Sequence, residues 1–230
     1  MENVNFTEFE KRIQYFFNDK DIIKLALIHS SYANEKKIGK NGDNERLEFL
    51  GDATLELSIS KYIYERFQDM TEGELTKLRA SVVCEASLAK KARQLDLGKY
   101  LLLGKGEILT GGRDRGSVLA DAFEAVIGGI CLDGGFEAAN KYILNNMEDV
   151  VEELRDTFRD VDYKTRLQEL IQKDSKIPVQ YVIVDEKGPD HGKEFTAKVI
   201  HNNITLGEGK GKSKKEAEQK AAKAALYSIV

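Results

Sequence analysis

Residues 44–52 of the chain read NERLEFLGD and carry three carboxylates, Glu45, Glu48 and Asp52, spaced three and four residues apart. Because an α-helix turns once every 3.6 residues, this spacing puts all three on one face of a single helix. Like charges at this spacing destabilise a helix by about 0.2–0.5 kcal/mol per pair. Arg46 alone cannot neutralise three carboxylates, so the stretch predicts either a solvated acidic face or a cation-binding site.

A second acidic pair lies in the stretch SVLADAFEAVIGGICLD at 117–133, which is apolar nearly throughout except for Asp121 and Glu124. Burying an unpaired carboxylate costs several kcal/mol or forces its protonation, so both side chains need a partner. If this helix packs beside the first, the carboxylates converge into a set of hard oxygen ligands that suits Mg²⁺ or Mn²⁺. The alternative is a structural salt bridge to Arg113 or Arg115.

The N-terminal two thirds of the chain has apolar positions three and four apart and predicts an all-helical domain. Thr7 with Glu10 and Thr71 with Glu74 have the pattern of capping boxes at helix starts. Six glycines in the polar stretch 98–116 predict a loop and no packed element. The predicted helices run over 7–17, from residue 19 or 21, over 44–67, 71–93 and 117–132, and from a break at 133–135 to about 156.

The remaining residues predict an α+β domain. An amphipathic helix begins near Asp162, after which strand-like alternation replaces the helical period. His-Asn-Asn at 201–203 supplies turn residues that tolerate positive φ, and a final helix begins at Ser213. The alternating stretches lie at 179–187, 193–200 and 204–206. The expected division is an all-α domain at 1–156, a linker at 157–161 and an α-β-β-β-α domain at 162–230.

The net charge of −4 conceals two parts of opposite sign. Residues 1–160 hold 22 Lys+Arg against 29 Asp+Glu, whereas residues 161–230 hold 13 against 10. No apolar run approaches the roughly 18 residues that cross a bilayer, and the first residues are too polar for a secretory signal. The two cysteines, Cys84 and Cys131, predict neither a disulfide scaffold nor a Cys-rich zinc site. These features favour a cytoplasmic protein.

Four lysines crowd the start of the final helix, although the helix dipole disfavours cations there by about 0.3–1 kcal/mol each. Ser213 and Glu216 have the capping-box pattern that leaves helix N–H groups exposed. A solvated lysine face is the alternative, but it does not explain clustering at this end, so phosphate binding is predicted. The four are Lys210, Lys212, Lys214 and Lys215.

NERLEFLGD resembles the signature of the ribonuclease III family, and VLADAFEAVIG at 118–128 resembles the other acidic motif of that family. The C-terminal 70 residues resemble the double-stranded-RNA-binding domain that follows the nuclease domain in bacterial members. The resemblance implies a homodimeric, Mg²⁺-dependent endonuclease, with Mn²⁺ as a substitute and no small-molecule cofactor. It would hydrolyse phosphodiesters in double-stranded RNA to 5′-phosphate and 3′-hydroxyl ends and process ribosomal and other structured RNAs.

The resemblance also implies roles for individual acids. Glu48, Asp121 and Glu124 match metal ligands, and Glu124 also matches a catalytic position. Asp52 matches the catalytic acid that orients a water at the metal, and Glu45 matches an outer acid implicated in RNA cleavage. Glu56 and His29 are interpreted as a surface residue and a hydrogen-bonded structural histidine.

Other positions match contacts with macromolecules. Phe49 matches a residue that inserts into a socket on the partner subunit, although a core phenylalanine is equally compatible with the sequence. In the second domain, the resemblance places Thr165, Gln168 and the loop carrying His191 in RNA minor grooves, and the lysines Lys212, Lys214 and Lys215 on phosphates.

Two other functions compete with this interpretation. A noncatalytic scaffold that binds double-stranded RNA would not need to retain charges inside an apolar helix. An all-helical metal enzyme acting on small phosphorylated substrates would not need the basic module.

Overall fold

A computed structural model describes residues 5–159, 163–188 and 193–229. The chain divides into two compact units, Met1–Leu154 and Arg155–Val230. The described α-helices that begin in the first unit are α1 (Phe6–Ile13), α2 (Lys20–Ala26), α3 (Ser30–Lys36), α4 (Glu45–Arg66), α5 (Glu72–Val82), α6 (Glu85–Gln94), α7 (Lys105–Leu109) and α8 (Gly116–Arg159), the last of which continues past Leu154. Short 3₁₀ turns lie at Leu97–Lys99 and Gly112–Asp114. The predicted all-α architecture is confirmed, and no helix in the described ranges is long and apolar enough to cross a bilayer.

Several predicted helix starts and breaks are confirmed. Asp19 caps α2 by accepting the Asp21 backbone N–H, and α4 begins directly after Asn44, whose side chain makes no capping bond to the helix. Thr71 and Glu74 form the predicted capping box of α5, since the Glu74 backbone N–H donates to Thr71 Oγ1 at 3.3 Å and the Thr71 N–H donates to the Glu74 carboxylate at 2.7 Å. The predicted break in α8 falls at Gly135, whose φ of 80° and ψ of 173° are non-helical.

The predicted capping box at the first helix is wrong. Asn5 caps α1 by accepting the Glu8 backbone N–H, so Thr7 lies inside the helix. Glu10 is only 1% exposed and instead accepts hydrogen bonds from the Phe17 backbone N–H and the Lys20 ammonium. A tertiary demand on this carboxylate therefore overrides the local capping pattern.

The single helix predicted over 71–93 is two helices, because the backbone is extended at Cys84. Cys84 Sγ and Ser87 Oγ both donate to the carbonyl oxygen of Ser81, at 3.2 and 3.0 Å. These local hydrogen bonds satisfy the interrupted turn and make Glu85 the first residue of α6.

The stretch 98–116 was predicted to be an unpacked loop, but its first part, residues 98–104, packs against the domain and is called the strap below, and the exposed helix α7 follows it. Leu101 is fully buried, and the Arg113 guanidinium donates to its carbonyl oxygen at 2.8 Å. Leu102 exchanges backbone hydrogen bonds with the segment before α3, donating to Leu27 at 2.8 Å and accepting from His29 at 3.1 Å. The strap thus anchors the chain just upstream of the acidic helix.

Helices α4 and α8 touch through their backbones at Gly51 and Gly128. A Cβ atom at Gly51 would lie 1.8 Å from the carbonyl oxygen of Glu124, and one at Gly128 would lie 2.0 Å from that of Leu47. No side chain fits at either point. The contact therefore brings the acidic turn of α4 against the acidic turn of α8.

The second unit has the predicted α-β-β-β-α order: α9 (Tyr163–Asp174), β1 (Gln180–Lys187), β2 (Glu194–His201), β3 (Ile204–Gly211) and α10 (Lys214–Ile229). The sheet is antiparallel in the order β1-β2-β3, and Asn202 and Asn203 both have the positive φ that the predicted turn requires. The core joins Leu167 and the inner face of β2 to the alanines of α10. Ala217, Ala221, Ala222 and Ala225 of α10 are buried, whereas Ala224 is half-buried.

Replacing Gly51 with alanine should lower the free energy of unfolding by about 1–3 kcal/mol, because the two helix backbones must separate to admit the methyl group. The matched control is Gly73→Ala in the first turn of α5, where a Cβ would meet nothing within 4 Å. It should be neutral or stabilising by about 0.4–1 kcal/mol. Urea unfolding measures both, and equal effects would contradict the proposed contact.

Candidate functional site

The start of α4 is fixed by its capping residue. Asn44 is buried, and its backbone N–H donates to the carbonyl of Ile28 at 2.8 Å while its side chain donates to that of Ala26 at 3.3 Å. The segment around Ile28 is itself held by the strap. Glu45 and Glu48 therefore lie in a firmly positioned first turn, where the helix dipole favours negative charge.

Three carboxylates from two helices meet beside this turn. Glu48 of α4 and Asp121 and Glu124 of α8 each offer an oxygen atom within 4.8 Å of the other two. All three side chains are half-buried. The predicted convergence of the two acidic motifs thus occurs in the structure, and these three residues are called the acidic triad below.

The alternative of a salt bridge to Arg113 or Arg115 is not realised. Arg113 donates to the backbone carbonyls of Gly98 and Leu101, and Arg115 pairs with Glu107. No side chain in the described part of the chain forms an ion pair with the triad at 4.0 Å or closer. The triad therefore has no ion-pair partner among the residues that the structure describes.

Burial and mutual repulsion favour the protonated forms of these carboxyls. Burial, followed by the charges of Asp52 and Glu48, raises the pKa of Glu124 to about 8. Burial also raises the pKa of Glu48, with the charges of Asp121 and Glu45 as the next causes. At neutral pH the triad consequently retains a proton whenever no cation compensates its charge.

Glu85 and His29 both act on Asp121, and the sequence predicted neither proximity. Burial raises the pKa of Asp121, the charge of Glu85 raises it further, and His29 acts in the opposite direction. Glu85 lies close enough to act on Asp121 because α6 begins at this residue, after the break at Cys84. The sequence predicted one continuous helix across this break. As predicted, His29 is hydrogen-bonded: its Nδ1 accepts the Ser31 backbone N–H at 3.2 Å and caps α3.

The donor set suits a hard divalent cation. The triad offers only carboxylate oxygens, which Mg²⁺ and Mn²⁺ prefer, and it lacks the nitrogen and sulfur ligands typical of zinc. Asp52 and Glu45 are exposed on the same side of α4 and act electrostatically on the triad from its rim. Glu56 is exposed, as predicted, and its charge raises the pKa of Glu124 less than the charges of Asp52, Glu48 and Asp121 do.

Phe49 is not a core residue, since it is 79% exposed. Leu57 and Tyr64 lie on the same side of α4 and are 56% and 73% exposed. Beside Tyr64, a groove of about 340 Å³ opens between α4 and α5. These residues form an exposed apolar stripe along the helix that carries the acids.

The second unit presents the predicted lysines. Lys212, Lys214 and Lys215 are exposed around the start of α10. Ser213 Oγ accepts the Glu216 backbone N–H at 3.2 Å, but the Glu216 carboxylate accepts from the Lys212 N–H at 2.7 Å and does not complete the predicted capping box.

The two residues of α9 that are predicted to contact RNA, Thr165 and Gln168, differ in their exposure to solvent. Thr165 is exposed, whereas Gln168 is half-buried and its Oε1 accepts the Val179 backbone N–H at 3.3 Å. His191 lies outside the described residues.

Comparison with known proteins identifies relatives of both units. Residues 19–150 match the family described as ribonuclease-III-like, and residues 163–229 match the double-stranded RNA binding motif. Ribonuclease 3 of Clostridium perfringens is 50% identical over 229 residues, covering 100% of this chain and 96% of that protein. Ribonuclease 3 of Desulforamulus reducens is 51% identical over 218 residues, covering 95% and 89%.

Solved structures are similar as well. The nuclease domain of ribonuclease III from Campylobacter jejuni is 42% identical with a TM-score of 0.59, covering 63% of this chain and 97% of that one. Dicer from Pichia stipitis is 26% identical with a TM-score of 0.50, covering 92% and 95%. The chain therefore belongs to the ribonuclease III family of double-stranded-RNA endoribonucleases, with the nuclease domain of that family followed by its RNA-binding domain.

Proposed function

We propose that the protein is a Mg²⁺-dependent endonuclease that hydrolyses phosphodiesters in double-stranded RNA and leaves 5′-phosphate and 3′-hydroxyl ends. The observation that carries this proposal is the uncompensated acidic triad in a chain that also has a double-stranded-RNA-binding domain. Glu48, Asp121 and Glu124 would hold Mg²⁺, or Mn²⁺ in its place, without a small-molecule cofactor. A divalent ion bound there would lower the pKa of water and would stabilise the negative charge that develops on the leaving oxygen.

The acids at the rim act on water and RNA. We propose that Asp52, whose carboxylate is exposed and whose charge raises the pKa of Glu124, accepts a hydrogen bond from the attacking water and orients it for in-line attack. Glu45 occupies the outer position on the same helix, where we propose that it helps to place the RNA strand to be cut.

The second unit would supply the affinity for duplex RNA. We propose that Lys212, Lys214 and Lys215 contact phosphates, while Thr165 and Gln168 reach a minor groove, as domains of this kind do. The same role stays a prediction for His191. We propose domains at 1–156 and 162–230 with a linker over 157–161, and a boundary in this region is supported by the family matches, which end at residue 150 and resume at 163. Helix α8 itself continues to Arg159, so the first part of the proposed linker is helical.

We propose that the protein acts as a homodimer through the apolar stripe of α4. In the Campylobacter jejuni protein, a structurally flexible region of the nuclease domain is involved in dimer formation. A two-fold axis near the middle of α4, at residues 56–57, would pair two copies of the helix antiparallel. Phe49 of one subunit would then lie opposite Tyr64 of the other, next to the groove between α4 and α5. Two active sites would result, one for each strand of a duplex.

We also propose processing of ribosomal and other structured RNAs in the cytoplasm. Cys84 and Cys131 are both free thiols, which suits a reducing compartment. The competing function, a noncatalytic scaffold, leaves the uncompensated charges of the triad unexplained.

Incubation with a long RNA duplex tests the enzyme directly. The wild-type protein should cut only when Mg²⁺ or Mn²⁺ is present. Glu124→Gln should lower the cleavage rate by at least about 10²-fold, because one charged ligand is lost, while duplex affinity stays within about twofold. Glu137→Gln, an exposed glutamate on the same helix, is the matched control and should cut normally. Absence of cutting by the wild type with either metal would overturn the proposal.

The acidic triad should make stability depend on pH and on metal. Without divalent ions, the raised pKa of Glu124 means that the folded state holds this proton more tightly than the unfolded state. The stability penalty is absent below the usual pKa of 4.5 and grows until pH passes the folded value of about 8. Glu124→Gln should therefore raise the free energy of unfolding at pH 8, by about 1–3 kcal/mol, and have little effect at pH 4.

Added Mg²⁺ should reverse the order of the two proteins. It should stabilise the wild type by about 2.7 kcal/mol at a concentration of 100 Kd, and the variant much less. Thermal unfolding at both pH values, with and without Mg²⁺, provides the measurement. A variant less stable than the wild type at pH 8 without metal would show that the carboxylate is compensated within the fold.

Replacing Phe49 with aspartate should weaken self-association by about 2–4 kcal/mol, because the exposed ring would be a central anchor of the interface. Sedimentation velocity over a concentration series measures the dissociation constant. Leu109→Asp is the control, since Leu109 is 86% exposed on α7 and lies outside the stripe. Similar self-association of both variants and the wild type would exclude the α4 stripe as the interface.

A further inference from the structure

Helix α9 of the RNA-binding domain is tied to its neighbours through Lys164. The Lys164 ammonium donates to the Glu218 carboxylate of α10 at 2.7 Å and lies 4.3 Å from the centre of the Tyr181 ring on β1. The two charged side chains are only 35% and 24% exposed. A hydrogen-bonded pair with this much shielding holds its geometry better than a fully exposed pair does.

The backbone of the same residue is held as well. The Lys164 N–H donates to Gln219 Oε1 at 3.1 Å, and Gln219 is only 8% exposed. Amides in the first turn of a helix have no acceptor within that helix, so this bond satisfies a group that would otherwise need water. Two consecutive residues of α10 therefore bind Lys164, because Glu218 accepts from its side chain and Gln219 accepts from its backbone N–H. The four residues Lys164, Tyr181, Glu218 and Gln219 are called the α9 clamp.

The clamp lies between the two groups of residues assigned to RNA contact. Thr165 follows Lys164 directly on α9, and Lys214 and Lys215 lie one turn before Glu218 on α10. Gln168 is held separately, by its bond to the Val179 N–H. The clamp thus adds a polar constraint, beside the buried packing of Leu167 on the alanines of α10, to the distance from the α9 contacts to the lysines of α10.

Under the proposed function, that distance has to fit a duplex. Domains of this kind contact two minor grooves and the phosphates across the major groove between them. A-form RNA has a deep, narrow major groove, whereas that of B-form DNA is about 12 Å wide. The α9 residues and the α10 lysines can therefore contact a minor groove and the phosphates across the major groove at the same time only if the distance between them fits A-form RNA.

We propose that the α9 clamp is a positioning device that matches the spacing of the α9 and α10 contacts to A-form RNA and so determines the preference for RNA over DNA. The inference rests on the proposed binding of double-stranded RNA. The clamp residues act through Thr165, Gln168 and the lysines, and they need not touch the nucleic acid themselves.

Glu218→Gln tests this proposal, because simple electrostatics and positioning predict opposite signs. Removing a negative charge near a polyanion site would by itself tighten binding. If the clamp positions α9, the variant should instead bind an RNA duplex of about 20 base pairs roughly five- to thirtyfold more weakly. Binding of a DNA duplex of the same sequence should change by less than about twofold, since non-specific phosphate contacts persist. The full-length protein is used without divalent ions, so that no cleavage occurs.

The matched control is Glu208→Gln. Glu208 pairs with Lys198 between β2 and β3 at 3.5 Å and is not part of the clamp, so this variant makes the same change of charge in the same domain. It should bind both duplexes at least as tightly as the wild type. Lys164→Arg, which retains the charge and the pairing, should keep most of the preference for RNA.

The double variant of Lys214→Ala and Lys215→Ala separates this inference from the proposed function. It should weaken binding to both duplexes and flatten the dependence on salt. Failure of the wild type to bind RNA duplex would overturn the proposed function itself. RNA binding by Glu218→Gln that is unchanged or tighter, or a loss that is equal for RNA and DNA, would overturn the clamp while leaving RNA binding intact.

Thermal unfolding of each variant excludes a trivial loss of fold at the assay temperature. If Glu218→Gln unfolds there, Glu218→Asp keeps the charge, shortens its reach and carries the same prediction in a milder form.

Discussion

The candidate active site depends on the direct contact of two helix backbones. Helices usually pack with their axes about 8–10 Å apart, separated by side chains. At Gly51 and Gly128 there is no Cβ, and the carbonyl oxygens of Glu124 and Leu47 occupy the space that a side chain would need. The acids of both helices lie within one turn of this contact. Short side chains such as that of Asp121 can therefore reach a common point, which wider packing would prevent.

The same contact carries an electrostatic cost that the rest of the domain does not remove. A protein selected only for stability would be expected to turn a nearby cation toward the triad. Here Arg113 is committed to backbone carbonyls of the strap and Arg115 to Glu107. The positive groups closest in sequence to the second acidic motif thus have partners outside the triad. Compensation for the triad is left to a proton or to an external cation.

The sequence predicted those parts of the fold that depend on local periodicity. The acidic faces of α4 and α8, the break at Gly135 and the turn at Asn202 and Asn203 follow from spacing and backbone preference alone. The misses share a different cause. Glu10 accepts hydrogen bonds from Phe17 and Lys20 and therefore does not cap its own helix. The strap around Leu101 is buried, although its glycines favoured the prediction of an exposed loop. In both cases long-range burial decided the outcome.

In the candidate site, too, local periodicity predicted some features, whereas others depend on long-range packing. Each acidic motif was visible on its own helix, and their meeting could be proposed because buried carboxylates require partners. The proximity of Glu85 and His29 to Asp121 could not be predicted, since it depends on where α6 begins and on how the strap holds the start of α3. Sequence periodicity describes one helix at a time and contains no information on the distance between helices.

The distribution of charge gives the two domains separate tasks. A triad with up to three negative charges repels a phosphate at contact distance unless its charge is compensated. Salt reduces this repulsion beyond about 8–10 Å, but a scissile phosphate has to come much closer than that. Affinity for RNA must therefore arise away from the acids, on a surface with the opposite sign. The exposed lysines of α10, to which phosphate contacts are assigned in the proposed function, have the required charge, and the net charge of −4 for the whole chain is a sum over two parts of opposite sign.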